Sequence, residues 1–238
     1  MLRPSGRNIN QLREVDIQTG VNKYAEGSCL ISMGDTQVLC TATVEEKLPQ
    51  FLKNSARGWV TAEYNMLPRA TSARTQRERE KQNSRGIEIQ RLVGRSLRAG
   101  IDLEMLGTRQ IIVDCDVIQA DGGTRCASVT GGFVALHIAI QRLIKEKKIH
   151  VNPIKNFISA VSCGFYRGSC VLDLDYDEDS SCDFDINFVL NDKKEIVEIQ
   201  GTGENAVLPF AKIEELYSLA LGGCEELYKK QQEAIKAI

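Results

Sequence analysis

Apolar and polar residues alternate along residues 28–44, SCLISMGDTQVLCTATV, and β-branched side chains are frequent there. A period of two predicts two strands joined by a tight turn at Gly34-Asp35. A loop over 45–57 contains Pro49, and GWVTAEY, 58–64, predicts a further short strand. Residues 65–84 then lose all apolar periodicity and are strongly polar, which predicts an exposed loop. Ile89, Leu92, Val93 and Leu97 return at helical spacing and predict a helix over about 85–99, stopped at Gly100. Arg91, Arg95 and Arg98 fall on another face of it. QIIVDCDVI, 110–118, predicts a strand, and ADGGTR, 120–125, leads from it into a long helix over roughly 126–146.

After Pro153 the pattern restarts. FISAVSCGFY and SCVLDLDY predict a strand pair, DFDINFVL and IVEIQGTG two more strands. From Pro209 an amphipathic helix follows, with Gly222-Gly223 as the point where it could break. Each half thus runs from strands to helix. Residues 1–150 and 151–238 are expected to pack as one compact unit of mixed α/β, or α+β, class, since no low-complexity linker separates them.

The 238 residues are long enough for a substantial core. At 42% hydrophobic and 26% charged, the chain reads as an ordinary soluble protein. Its apolar runs read as too short to span a bilayer, and the polar residues 1–8 lack a signal peptide's apolar core, so a cytoplasmic location and no membrane partner are expected. The eight cysteines form no Cys-x-x-Cys pair, and neither His137 nor His150 lies beside one, which argues against structural zinc and for buried, reduced thiols.

A net charge of −2 excludes a wholly basic nucleic-acid wrapper, but the charges are segregated. Nine basic residues lie between Arg69 and Arg98, opposed by three acids. Such a basic loop and helix, with Arg69, Arg74, Arg77 and Arg91 among its members, can neutralise nucleic-acid phosphates, or simply be a solvated face or an oligomer contact. Seven acids and no base lie between Asp173 and Asp185. In strands joined by a turn at Glu178–Ser181, Asp173 and Asp175 would share one face, as would Asp183 and Asp185, and the convergent carboxylates would suit Mg²⁺ or Mn²⁺. In ADGGTR, Gly122 and Gly123 permit close backbone approach at a helix start, and Thr124 and Arg125 add a hydroxyl and a planar fork suited to phosphate. Alone, the hexapeptide reads rather as an ordinary glycine turn with a surface arginine, since Gly-Gly turns are common. His137, in the apolar run FVALHIAI, reads as a packed, hydrogen-bonded residue.

Taken together, RPSGRNINQLR (3–13), AEGSCLISMGDTQVLCTATVEEKLP (25–49), GWVTAEYNMLPRAT (58–71), EIQRLVGRSLRA (88–99), VDCDVIQADGGTR (113–125), LDLDYDEDS (172–180) and EIQGTGE (198–204) closely resemble the ribonuclease PH family from end to end. The resemblance implies two βα layers related to the second domain of a ribosomal small-subunit protein. It implies a tRNA nucleotidyltransferase: a phosphorolytic 3′-to-5′ exoribonuclease that trims tRNA precursors and other structured RNAs, rRNA among them, and releases nucleoside diphosphates. A homohexameric ring, a trimer of dimers, is implied as well. Phosphate, the co-substrate, would fall on Arg85, Gly123, Thr124 and Arg125, and the catalytic, metal-binding carboxylates on Asp179 and Asp185, with Mg²⁺ or Mn²⁺ between them. Arg69, Arg74 and Arg77 match loop arginines that grip the tRNA body or stabilise the ring, and Arg91 is counted with the RNA-contacting residues. The chain departs from the family at Cys126, where threonine is more usual, in NSRG (83–86), and in a GTGENAVLPF segment two residues longer than the usual form. Asn187 stands where related polynucleotide phosphorylases carry lysine. The alternative from another class is a non-catalytic RNA-binding ring subunit of an exosome-like assembly.

Overall fold

A computed structural model of the chain describes residues 3–77, 84–203 and 206–237. In the first half, β1 (Val15–Thr19), β2 (Gly27–Met33), β3 (Thr36–Glu45), β4 (Trp59–Met66) and β5 (Gln110–Gln119) form one sheet in the order β1-β2-β3-β5-β4. Its pairs are antiparallel except β4 with β5, which are parallel. The exception has a simple cause: the chain passes from β4 to β5 through helix α1 (Ser84–Ala99), and parallel neighbours need such a crossover. The loop ADGGTR then opens α2 (Thr124–Lys145).

The second half pairs β6 (Ile158–Tyr166), β7 (Ser169–Leu172), β8 (Phe184–Asn191) and β9 (Ile196–Gly203), all antiparallel, in the order β7-β6-β8-β9. A single turn of helix, α3 (Tyr176–Asp179), separates β7 from β8, and α4 (Phe210–Lys236) ends the described chain.

Helix α2 is the centre of the molecule. It packs against β2 and β3 on one side and β6 on the other, while α4 covers β6, β7 and β1. One continuous cluster of buried side chains therefore draws on both sheets, from Ile31 and Val113 through Phe133 and Leu136 to Phe188 and Leu227. Small residues set the spacing. A Cβ on Gly27 of β2 would lie 2.0 Å from the carbonyl oxygen of Ala135, so no other residue lets strand and helix meet there. By length and composition α2 is apolar enough to cross a membrane, against the expectation from the apolar runs; it is apolar all round because sheets cover it on both sides.

Two further expectations are corrected. Helix α4 is unbroken at Gly222-Gly223, because Gly223 lies flat against Leu172, where a side chain would collide. The strand expected through residues 173–176 ends instead at Leu172. Asp173 has φ +53°, left-handed backbone that turns the chain out of the sheet, and Asp175 caps α3 by accepting from the Glu178 amide at 3.1 Å. The short β1 went unforeseen, five residues giving too little alternation to register. All eight cysteines are free and buried, as expected of small apolar side chains.

Candidate active site

The ADGGTR loop is shaped by two consecutive left-handed glycines, Gly122 at φ +71° and Gly123 at φ +67°. A Cβ on Gly122 would stand 2.6 Å from the Leu174 carbonyl oxygen, and one on Gly123 2.9 Å from a guanidinium nitrogen of Arg13. The loop is tied down from below. Thr36 Oγ1 donates to the Gly122 carbonyl at 2.6 Å and accepts from the Asp121 amide at 2.9 Å, while Arg13 donates to the Asp121 carbonyl. Gly123 occupies the N-cap of α2, and no side chain caps it and no acid stands in the first turn. The first amides of a largely buried, 22-residue helix thus open onto the surface without a side-chain cap, with the partial positive charge of a helix start.

Thr124, the first residue of α2, shares a 2.8 Å hydrogen bond with the hydroxyl of buried Tyr64. Burial pushes the Tyr64 phenol up, so it stays protonated and can donate, leaving the Thr124 hydroxyl hydrogen for a ligand. Arg125 follows, with its guanidinium joined to Gln200 Oε1 at 2.8 Å and Glu88 Oε2 at 3.3 Å.

Five of the seven acids in the run fall into two sets. Asp173, Asp175 and Glu178 turn away from solvent and meet arginines of the N-terminal segment. Arg3 holds Glu178 through both carboxylate oxygens at 2.6 Å, with neither side chain exposed. Arg7 lies 3.2 Å from Asp175 and 3.3 Å from Glu178, and Arg13 pairs with Asp173. The sharing of a strand face expected of Asp173 and Asp175 is therefore absent: these carboxylates brace the turn and hold no metal-facing position. Asp179 and Asp185, the second set, point to the same opening as the glycine loop. Asp185 is fixed by its neighbour on β8: Cys126 Sγ donates to Asn187 Oδ1 at 3.2 Å, which turns the Asn187 amide nitrogen towards Asp185 Oδ2 at 3.4 Å. The cysteine departure at 126 thus serves as a hydrogen-bond donor beneath the site; burial pushes its thiol pKa far up, so it remains a thiol.

These parts line one polar cleft of about 370 Å³. It brings together Arg85, Gly123, Thr124, Arg125, Asp179, Asp185 and Asn187, with the cations at two helix starts and the carboxylates on α3 and β8. Glu88, Ser162, Gln200 and Thr202 also line it and were not singled out in the sequence. A signal existed for some: Glu88 follows Arg85 by one helical turn, and Gln200 and Thr202 share a face of β9. Arg69, Arg74, Arg77 and Arg91 do not line the cleft; all are exposed, the first three on the loop before α1 and Arg91 on α1 itself. Of their companions on α1, Arg95 pairs with Glu198 and Arg98 stacks on Trp59, so that face is partly structural. His137 lies in the core against Phe133 and Phe157, and its Nδ1 has no hydrogen-bond partner among the described residues, contrary to the hydrogen-bonded role expected.

Comparison with known proteins accounts for nearly every residue of the chain. The 3′ exoribonuclease family matches in both its parts, domain 1 over residues 11–140 and domain 2 over residues 156–223. The ribonuclease PH of Roseobacter denitrificans is 53% identical over 235 residues, 98% of this chain and 99% of that protein. The ribonuclease PH of Caulobacter vibrioides is 56% identical over 236 residues, with the same coverage. Among solved structures, an Archaeoglobus fulgidus exosome with RNA bound to the active site superposes with a TM-score of 0.81 at 22% identity, covering 96% of this chain and 92% of that one. An archaeal exosome core gives 0.78 at 21% identity, covering 97% and 91%. The exosome subunits share the fold; the full-length identity above half, together with the glycine loop and the paired carboxylates meeting in one cleft, makes this chain a member of the ribonuclease PH family.

Proposed function

We propose that the chain is a phosphate-dependent 3′-to-5′ exoribonuclease, a tRNA nucleotidyltransferase, acting on the 3′ ends of tRNA precursors and other structured RNAs, rRNA included. The observation that carries this reading is the convergence of the uncapped α2 start and Arg125 with Asp179 and Asp185 on one opening. An anion site and a carboxylate pair side by side suit a reaction between two phosphates. Inorganic phosphate rests on Arg85, Arg125 and the amides at Gly123 and Thr124. One of its oxygens attacks the terminal internucleotide phosphorus, the bond to the 3′ oxygen of the preceding nucleotide breaks, that oxygen takes up a proton, and a nucleoside diphosphate leaves.

Bringing two anions together is the principal barrier. The arginine charges and the helix-start amides offset it, and they are in place before the reactants arrive. Holding both reactants in line supplies much of the remaining acceleration. Asp179 and Asp185 fit a divalent ion of the Mg²⁺ or Mn²⁺ kind, which commonly uses one or two carboxylates and completes its shell with water and substrate phosphate. Such an ion, when bound, supplies positive charge against the phosphoryl oxygens.

Arg69, Arg74 and Arg77 on the loop before α1 and Arg91 on α1 are the RNA-contacting residues of this proposal, and their exposure supports it. Self-association as a six-membered ring and a cytoplasmic location complete the proposal. The decisive measurement is product analysis on a 3′-labelled tRNA precursor with Mg²⁺, with and without phosphate. Diphosphates that form only with phosphate are the expected result. Monophosphates mean hydrolysis by water, and no release from an assembled ring means a non-catalytic RNA-binding subunit.

A further inference from the structure

Arg125 is held by two side chains before any anion reaches it. Its Nη1 donates to Gln200 Oε1 at 2.8 Å, its Nη2 donates to Glu88 Oε2 at 3.3 Å, and Gln200 Nε2 donates to Glu88 Oε1 at 2.8 Å. The three side chains close a ring, drawn from α2, α1 and β9. Two of a guanidinium's five N–H donors are spent in it, and the others are left for a ligand. All three residues line the cleft, and the Arg125 side chain is only 17% exposed.

The placement of Glu88 is the informative part. A carboxylate on the wall of an anion site repels the anion, so it weakens binding unless it does something that outweighs the repulsion. Here it fixes a long side chain whose planar fork recognises phosphate oxygens only in the correct orientation. Gln200 fixes the same fork from the opposite element. Arg95 and Glu198 also join α1 to β9, outside the cleft, with Nε to Oε2 at 3.0 Å.

We propose that Glu88 and Gln200 are positioning residues that set the guanidinium of Arg125 for phosphate. This rests on the phosphate-site reading of Arg125. The test measures initial rates against phosphate and against RNA for the wild type, Glu88→Ala, Gln200→Ala and Arg125→Lys. Each Ala substitution is also combined with Arg125→Lys, and Arg95→Ala serves as the control that cuts the other tie between the same elements. A hydrogen bond to a charged group is commonly worth about tenfold or more in an equilibrium. Each Ala substitution is therefore expected to raise the phosphate KM about tenfold with the RNA KM unmoved, and to add nothing once Arg125 is lysine, which has no fork to position. Arg95→Ala is expected to leave the phosphate KM unchanged.

Additive effects in the lysine background, an equal rise in the RNA KM, or a fall in kcat alone overturns the proposal. A fall in the phosphate KM of Glu88→Ala overturns it for Glu88, since repulsion would then outweigh positioning. Failure of the underlying reading is separate and visible in the wild type, as turnover that ignores phosphate.

Discussion

Arg13 and Asp173 meet in a two-pronged ion pair beneath the cleft, Nη2 to Oδ1 at 2.7 Å and Nε to Oδ2 at 3.0 Å, and the Arg13 amide adds a third bond to Asp173 at 2.8 Å. The same guanidinium reaches the carbonyls of Asp121 and Gly122. A single side chain therefore joins the glycine loop to the turn that carries Asp179. Asp121 adds a second tie, accepting from the Tyr176 amide at 3.2 Å.

That arrangement separates carboxylates that hold the fold from those that face the cleft. Asp173→Asn leaves Arg13 buried without its counter-charge and should lower stability by about 3–5 kcal/mol. Asp185→Asn should leave stability within about 1 kcal/mol of wild type, lower turnover about 100- to 1,000-fold, and preserve RNA binding. Urea unfolding and single-turnover kinetics on both variants check the division; a catalytic loss confined to Asp173→Asn would reverse it.

Arg3 and Glu178 are both wholly buried. Arg3→Met alone leaves the buried Glu178 carboxylate with only the longer contact to Arg7 at 3.3 Å and is expected to cost about 3–5 kcal/mol, whereas Arg3→Met with Glu178→Met should recover most of the loss. Denaturation midpoints of the two singles and the double decide it. If the double is as unstable as the sum of the singles, the pair is not acting as a unit.

Arg74 is exposed and does not line the cleft. Arg74→Ala should weaken binding of intact tRNA several-fold and flatten its salt dependence, with little effect on a short oligonucleotide, because one phosphate contact is lost from the RNA body. Filter binding across a salt series measures both. Equal losses on the two substrates would place Arg74 elsewhere.

Burial pushes His137 down from 6.5 to about 4. The unfolded chain therefore binds a proton that the folded chain refuses between those values. Stability should fall on acidification through that window by up to about 1.4 kcal/mol per pH unit, and this contribution is absent above it. His137→Phe should flatten the dependence while fitting the cluster with Phe133 and Phe157. Urea midpoints at pH 7 and pH 5 give the comparison; unchanged slopes would show that another group controls the acid limb.

Periodicity located α1, β2, β3 and β5 to within a few residues, since each buries one face against a continuous core, while α2 showed as a long apolar stretch opened by the glycine loop. It failed where tertiary charge pairing overrides local pattern. LDLDY alternates like a strand, yet Arg13 draws Asp173 into left-handed backbone and the strand stops. No local signal marks a partner 160 residues away. For the same reason the acidic run looked like one cluster, and only the arginines at 3, 7 and 13 show which carboxylates remain for the cleft. The glycine loop was legible because its chemistry is local: strand, two glycines, helix. Gln200 was not, because its meaning lies in what Arg125 and Glu88 do to it from other elements.

The clasp of Arg3 and Arg13 also has a consequence in time. Their partners lie 175 and 160 residues later in the chain, so during synthesis both arginines leave the ribosome long before Glu178 and Asp173 exist. Neither the glycine loop nor the acidic turn can be locked in that interval. An enzyme that consumes RNA thus stays unassembled beside the messenger that encodes it until Asp173 and Glu178 have been made.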